Sequence, residues 1–184
     1  GDAGGAENPA FNESSWEQVN LPHDYSSEQE YTKTGEAESG YLLGGTGWYR
    51  KNFTIDSSAA GKQIRIDFGG VYMNSTVWVN GTQVGTHPYG YTPFSFDITD
   101  YVKVGEDNVI TVKVDHQTPS SRWYSGSGIY RSVDLTITDP VHVDLYGTKI
   151  ETPDLAENRE LVTTNISTTV AKDSDQDQSR TPKH

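Results

Sequence analysis

The chain has 184 residues, a formal net charge of −12, 33% hydrophobic residues and no cysteine. That length can bury a core in one domain with the start of a second, but it falls short of the roughly 250 residues typical of a (β/α) barrel. The carboxylate excess argues against nucleic acid or an anionic membrane surface as partner, since both want clusters of Lys and Arg. No apolar run approaches the roughly 20 residues that span a bilayer, and without cysteine no disulfide contributes and the redox compartment cannot be read.

Residues 1–15 read as a flexible lead of small and polar residues, without a signal-peptide pattern. Trp16 to Leu21 alternates imperfectly and reads as a first strand, broken by Pro22-His23-Asp24-Tyr25. A polar loop follows from Ser26 to Gly47, holding Glu28, Glu30, Glu36 and Glu38. Its carboxylate spacing matches no ordered calcium loop, so it reads as a solvated acidic loop. Trp48 to Ile55 reads as a strand. Gln63 to Phe68 alternates cleanly, with Ile64, Ile66 and Phe68 on one face and Arg65 and Asp67 on the other. Thr76 to Val79 enters Asn80-Gly81 and leaves through Val84. Asn-Gly between two extended runs is a strong hairpin signal, because both turn residues need positive φ.

Phe94, Phe96 and Ile98 alternate next, and Val109 to Val114 follows a turn at Gly105 to Asn108. Val133, Leu135 and Ile137 repeat the pattern. Between these last two runs lies Ser120 to Arg131, with two arginines, three large aromatics and two glycines. A planar cation beside an aromatic ring, on a loop held at both ends by strands, suits recognition: the ring fits a sugar's C–H face and the guanidinium fits hydroxyls or a carboxylate. The plainer alternative is a core plug at the end of a sandwich. No stretch shows a helical period, and seven or eight short alternating runs with turns between them predict an all-β antiparallel sandwich. At Asp139-Pro140 the composition shifts, and residues 141–170 read as the opening strands of a second β-module, followed by a wholly polar tail.

Five segments then fall in a telling order: Leu21-Pro22-His23-Asp24; Gly47-Trp48-Tyr49-Arg50-Lys51; Asp67 to Gly81; Phe96-Asp97-Ile98-Thr99-Asp100-Tyr101; and Ser121 to Arg131. Together they resemble the amino-terminal sugar-binding domain of glycoside hydrolase family 2, most closely its bacterial β-galactosidases, over residues 16–138. The resemblance implies a jelly-roll (galactose-binding-like) sandwich over residues 16–139. Residues 140–184 would then begin an incomplete immunoglobulin-like module. It also implies a catalytic TIM barrel elsewhere in the same polypeptide. In the family the barrel carries two glutamates for retaining hydrolysis, whose carboxyls sit about 5–5.5 Å apart. Nothing here resembles that barrel, so no catalytic residue is expected in this chain, and alone it should be inactive.

The family's sugar-binding domain lends side chains to the terminal sugar. The matching positions are Asp24 and Arg122, with Trp123 as a candidate wall of the pocket. Asp24 and Arg122 are expected to pair with each other when the site is empty. The local alternative for Asp24 is a turn cap, and for Arg122 a surface ion pair. Trp48 and Trp78 are assigned to the core or to sheet faces. The implied partner is a terminal β-galactoside, with β-glucuronides and β-mannosides as alternatives on the same scaffold. A homo-oligomer of the full-length enzyme is compatible with this reading, and a secreted or cell-surface place is favoured over the cytoplasm. No cofactor is implied. His23, His87, His116, His142 and His184 are scattered without metal-ligand spacing. Two other classes stay open. One is a free-standing carbohydrate-binding module built on Tyr89, Tyr91 and Trp123; the other is a structural domain that holds oligomer contacts.

Overall fold

The structure is a computed structural model and describes residues 2–156 and 161–173. The polar tail expected from residue 171 lies mostly outside the described residues, as does His184. Among the described residues nine strands form in chain order: β1 (Gly45–Thr54), β2 (Gln63–Phe68), β3 (Ser75–Val79), β4 (Thr82–His87), β5 (Phe94–Asp97), β6 (Asp107–His116), β7 (Val133–Thr138), β8 (Val141–Glu151) and β9 (Asn165–Lys172). The described residues contain one short 3-10 turn, Ser57–Ala59, and no α-helix. No helix among them is long and apolar enough to cross a membrane.

One sheet has the order β1-β6-β3-β4 and the other β5-β2-β7. They give the antiparallel β-sandwich that the alternation implies. Val77 and Val79 of β3 and Ile110, Val112 and Val114 of β6 meet Ile64, Ile66 and Phe68 of β2 in one buried cluster. Each such side chain contributes about 1.5–3 kcal/mol by leaving water. The β3–β4 hairpin turns through Asn80 (φ 51°) and Gly81 (φ 84°), the pair of left-handed residues that a tight twisted hairpin requires. On the outer face of β2, the Asp67 carboxylate accepts from Arg65 (2.6 Å), Ser95 (2.6 Å) and Thr136 (2.6 Å), tying β5, β2 and β7 together through one side chain.

Trp16 to Leu21 is not a strand. It holds a turn at Trp16 and then irregular backbone, because its chain finds no ladder to join. The segment read as a flexible lead lies against the outer face of β1. Arg50 of β1, whose side chain is 3% exposed, donates to the carbonyls of Ala6 (2.5 Å), Asn8 (3.1 Å) and Pro9 (3.2 Å) and lies 3.3 Å from the Glu13 carboxylate. Trp48 Nε1 donates to Asp2 (3.0 Å). Trp48 and Trp78 stack on this face with centroids 5.5 Å apart, so both sit on a sheet surface rather than in the sandwich interior.

The loop from Ser26 to Gly47 is folded back on itself by Thr32 N–H to Tyr41 (3.0 Å) and Tyr41 N–H to Glu36 (2.9 Å). β1 consequently begins at Gly45, three residues ahead of the expected start at Trp48.

The chain divides into two compact units, one of residues 1–60 and 64–136, the other of residues 61–63 and 137–184. The second holds the antiparallel pair β8–β9, with a register shift between Val143 and Thr148. Val141, Val143, Ile150, Ile166 and Val170 of this pair are all more than half exposed.

Candidate functional site

The site is built where two loops run side by side. His23 N–H donates to Ile129 (2.8 Å) and Tyr25 N–H to Ser127 (2.9 Å), so residues 23–25 pair with 127–129. On its other side Gly128 exchanges two backbone hydrogen bonds with Tyr72, each 2.9 Å. This close approach explains Gly128. Its φ is 128°, and a β-carbon there would meet the Tyr49 hydroxyl and lie 2.7 Å from the His23 carbonyl.

Asp24 sits at the centre of this junction. Its Oδ1 accepts from the Ser26 N–H (3.0 Å) and the Ser127 N–H (2.8 Å), and its Oδ2 accepts a short hydrogen bond from the Tyr124 hydroxyl. The bond to Ser26, two residues on, is an Asx turn, so the local cap expected after Pro22 is present. The bonds to Tyr124 and Ser127 reach across 100 and 103 residues, so the same carboxylate also clamps the two loops.

The expected ion pair between Asp24 and Arg122 does not form. Arg122 is exposed and makes no hydrogen bond or ion pair among the described residues. Two backbone amides and a phenol occupy three of the carboxylate's acceptor directions instead. Arg122 nonetheless sits two residues from Tyr124, on the loop that Asp24 holds. Trp123 is 59% exposed, and its Nε1 donates to the Tyr91 hydroxyl (2.9 Å). Tyr91 packs edge-on against Tyr89 and against Tyr72. An uncommitted guanidinium thus stands beside an anchored, largely exposed indole.

Beneath this surface runs a buried chain of hydroxyls and one imidazole. Tyr72 donates to Ser120 Oγ (3.1 Å), which lies 2.9 Å from His116 Nε2. His116 Nδ1 lies 2.5 Å from Ser127 Oγ, which contacts Ser26 Oγ, and Ser26 donates to the Leu43 carbonyl (2.8 Å). Ser26 spends its proton on Leu43, so Ser127 donates to Ser26 and Nδ1–H donates to Ser127, while Ser120, which accepts from Tyr72, can donate to Nε2 of a neutral ring. Burial holds the ring below the ordinary histidine range, against the opposing charges of Glu36, Asp24 and Asp115. His116 thereby joins Ser120 and Ser127, which flank the segment bearing Arg122 and Trp123.

Tyr124, Ser127 and His116 have no role assigned from the sequence, and Tyr91 appears there only as a platform of the alternative binding module. Tyr124 is adjacent to the two candidates and could have been assigned one. His116 carries no local signal, since its partners lie on both sides of an irregular loop. Among the described residues no three His, Asp or Glu side chains gather as a metal site. Two surface clefts border this junction, one of about 400 Å³ bounded by Leu21, Phe53, Ile129 and Leu135, the other of about 720 Å³ bounded by Trp16, His23, Tyr25 and Trp48.

The fold matches known proteins closely. The family model described as glycosyl hydrolases family 2, sugar binding domain, matches residues 13–140, and the chain belongs to that family. A beta-galactosidase of Bacteroides ovatus is 45% identical over 178 residues, covering 95% of this chain and 21% of the relative. A putative beta-glucuronidase of Formosa agariphila is 44% identical over 155 residues, covering 83% of this chain and 15% of the relative. The crystal structure of a beta-glycosidase from Bacteroides vulgatus superposes with a TM-score of 0.88 at 40% identity, covering 96% of this chain and 23% of that one. The chain therefore spans about a fifth of the length of the proteins it matches.

Proposed function

We propose that this chain is the sugar-binding part of a retaining glycosidase of β-galactosidase type, and that it completes the terminal-sugar subsite of a barrel supplied by the same polypeptide. One observation carries the reading. A half-buried carboxylate with one acceptor direction still open and an unpaired guanidinium are held on two loops that the fold ties together. Among the described residues Oδ2 of Asp24 accepts only from Tyr124, which leaves one lone pair for a sugar hydroxyl. Arg122 supplies donors in a fixed fork, and Trp123 offers an apolar face. Hydrolysis itself belongs to the barrel, so this chain alone should release no sugar. Residues 140–184 are read as the first strands of an immunoglobulin-like module whose remaining strands lie in the longer protein.

A second reading concerns the substrate. Relatives named beta-glucuronidases match nearly as well as those named beta-galactosidases. A guanidinium with no protein carboxylate beside it is suited to a uronate. Kinetics of the full-length enzyme and its Arg122→Ala variant on aryl β-galactosides, β-glucuronides and β-mannosides test both readings. A galactoside preference is expected, with kcat/KM reduced about tenfold to a hundredfold by the substitution. A glucuronide preference, lost on substitution, would move the assignment to the second reading. Unchanged kinetics on every substrate would remove Arg122 from the site.

A further inference from the structure

The Tyr124 hydroxyl has one strong partner, and it is the carboxylate that the proposed function places against the sugar. We infer that Tyr124 is a positioning residue for Asp24: it fixes the Oδ2 lone pair that remains, so that the pair reads a single sugar hydroxyl.

The geometry restricts Asp24 on every side but one. Oδ1 is occupied by the amides of Ser26 (3.0 Å) and Ser127 (2.8 Å), which set the plane of the carboxylate. An ionised carboxylate has about four acceptor directions. Three are in use, two by amides and one by the phenol. A freely solvated Asp24 could receive two sugar hydroxyls, whereas the carboxylate held here receives one. The phenol leans on its partner as a donor. Burial and the hydrogen bond to Asp24 both push its proton loss well above the ordinary tyrosine range, so it remains protonated across all working pH.

The ring needs no other explanation from packing. Tyr124 is 45% exposed and lies outside the buried core cluster. Phenylalanine would preserve its shape and remove only the bond to Asp24. Without the phenol, Oδ2 turns to water, and the incoming hydroxyl must displace it.

This inference rests on the proposed sugar subsite, and a double-mutant cycle in the full-length enzyme separates the two. The variants are Tyr124→Phe, Asp24→Asn and both together, assayed for kcat and KM on an aryl β-galactoside, with thermal melting as a check on the fold. Asp24→Asn keeps an oxygen for the two amides, so the loops stay clamped. It is expected to lower kcat/KM about a hundredfold, and Tyr124→Phe about tenfold, chiefly through KM. In the Asp24→Asn background, Tyr124→Phe should then change kcat/KM less than twofold. Wild-type kinetics for Asp24→Asn would overturn the subsite and this inference with it. A damaged Asp24→Asn beside an unaffected Tyr124→Phe, or a tenfold Tyr124→Phe effect that persists in the double variant, would overturn the positioning role alone. A loss in Tyr124→Phe that tracks a lowered melting temperature would assign Tyr124 to stability and equally overturn it.

Discussion

Asp24 clamps two loops, and on the proposed reading the same carboxylate meets the sugar. Its first oxygen is consumed by backbone amides from two loops, and its second is shared between a phenol and open space. Behind it, His116 holds Ser120 and Ser127 in a neutral, Nδ1-protonated form. That state has a pH signature. The folded ring titrates below the ordinary value of about 6.5, so as pH falls the unfolded chain takes up its proton first. The stability contributed by this histidine is complete above about pH 6.5 and declines below it, until the folded ring also protonates. His116→Asn should cost about 1–2 kcal/mol at pH 8, measured by urea unfolding, and the gap to wild type should narrow toward pH 5. A gap that stays constant across that range would contradict the neutral assignment.

At the scale of elements, local pattern carried most of the fold. Ile64, Ile66 and Phe68 alternate because one face of β2 is buried, and Asn80-Gly81 turns because only such residues take positive φ cheaply. Trp16 to Leu21 misled because alternation alone does not make a strand; a neighbour must accept its backbone. The role of the segment before it was hidden for a related reason. Its anchor is Arg50, more than thirty residues away, and nothing in Gly-Asp-Ala-Gly-Gly announces a buried guanidinium. Arg50 serves three carbonyls, the Thr111 hydroxyl and Glu13, so its removal leaves several acceptors unpaired. Arg50→Ala should therefore destabilise by about 3 kcal/mol, lowering Tm by roughly 6–12 °C. Arg50→Lys should recover only part of this, because an ammonium cannot fork to carbonyls on both sides. A melting temperature within two degrees of wild type for Arg50→Ala, about the shift of a single surface contact, would show that the segment contributes little.

At the scale of the whole molecule, the candidate site was half legible. Asp24, Arg122 and Trp123 could be placed on the sequence by motif, and the fold brings their loops together. The ion pair expected between Asp24 and Arg122 does not form, because the Tyr124 hydroxyl and the Ser127 backbone amide take the carboxylate instead, a competition that spacing does not record. The exposed apolar residues of β8 and β9 are compatible with the proposed immunoglobulin-like module and its further strands. A crystal structure of the full-length enzyme with a galactose-configured inhibitor would show later strands covering that pair. The same structure tests the central claim most directly. The account predicts the Asp24 Oδ2 and the Arg122 guanidinium within about 3 Å of hydroxyls on the terminal sugar, facing the barrel's glutamates. A sugar seated in the barrel with both side chains turned to bulk solvent would contradict it.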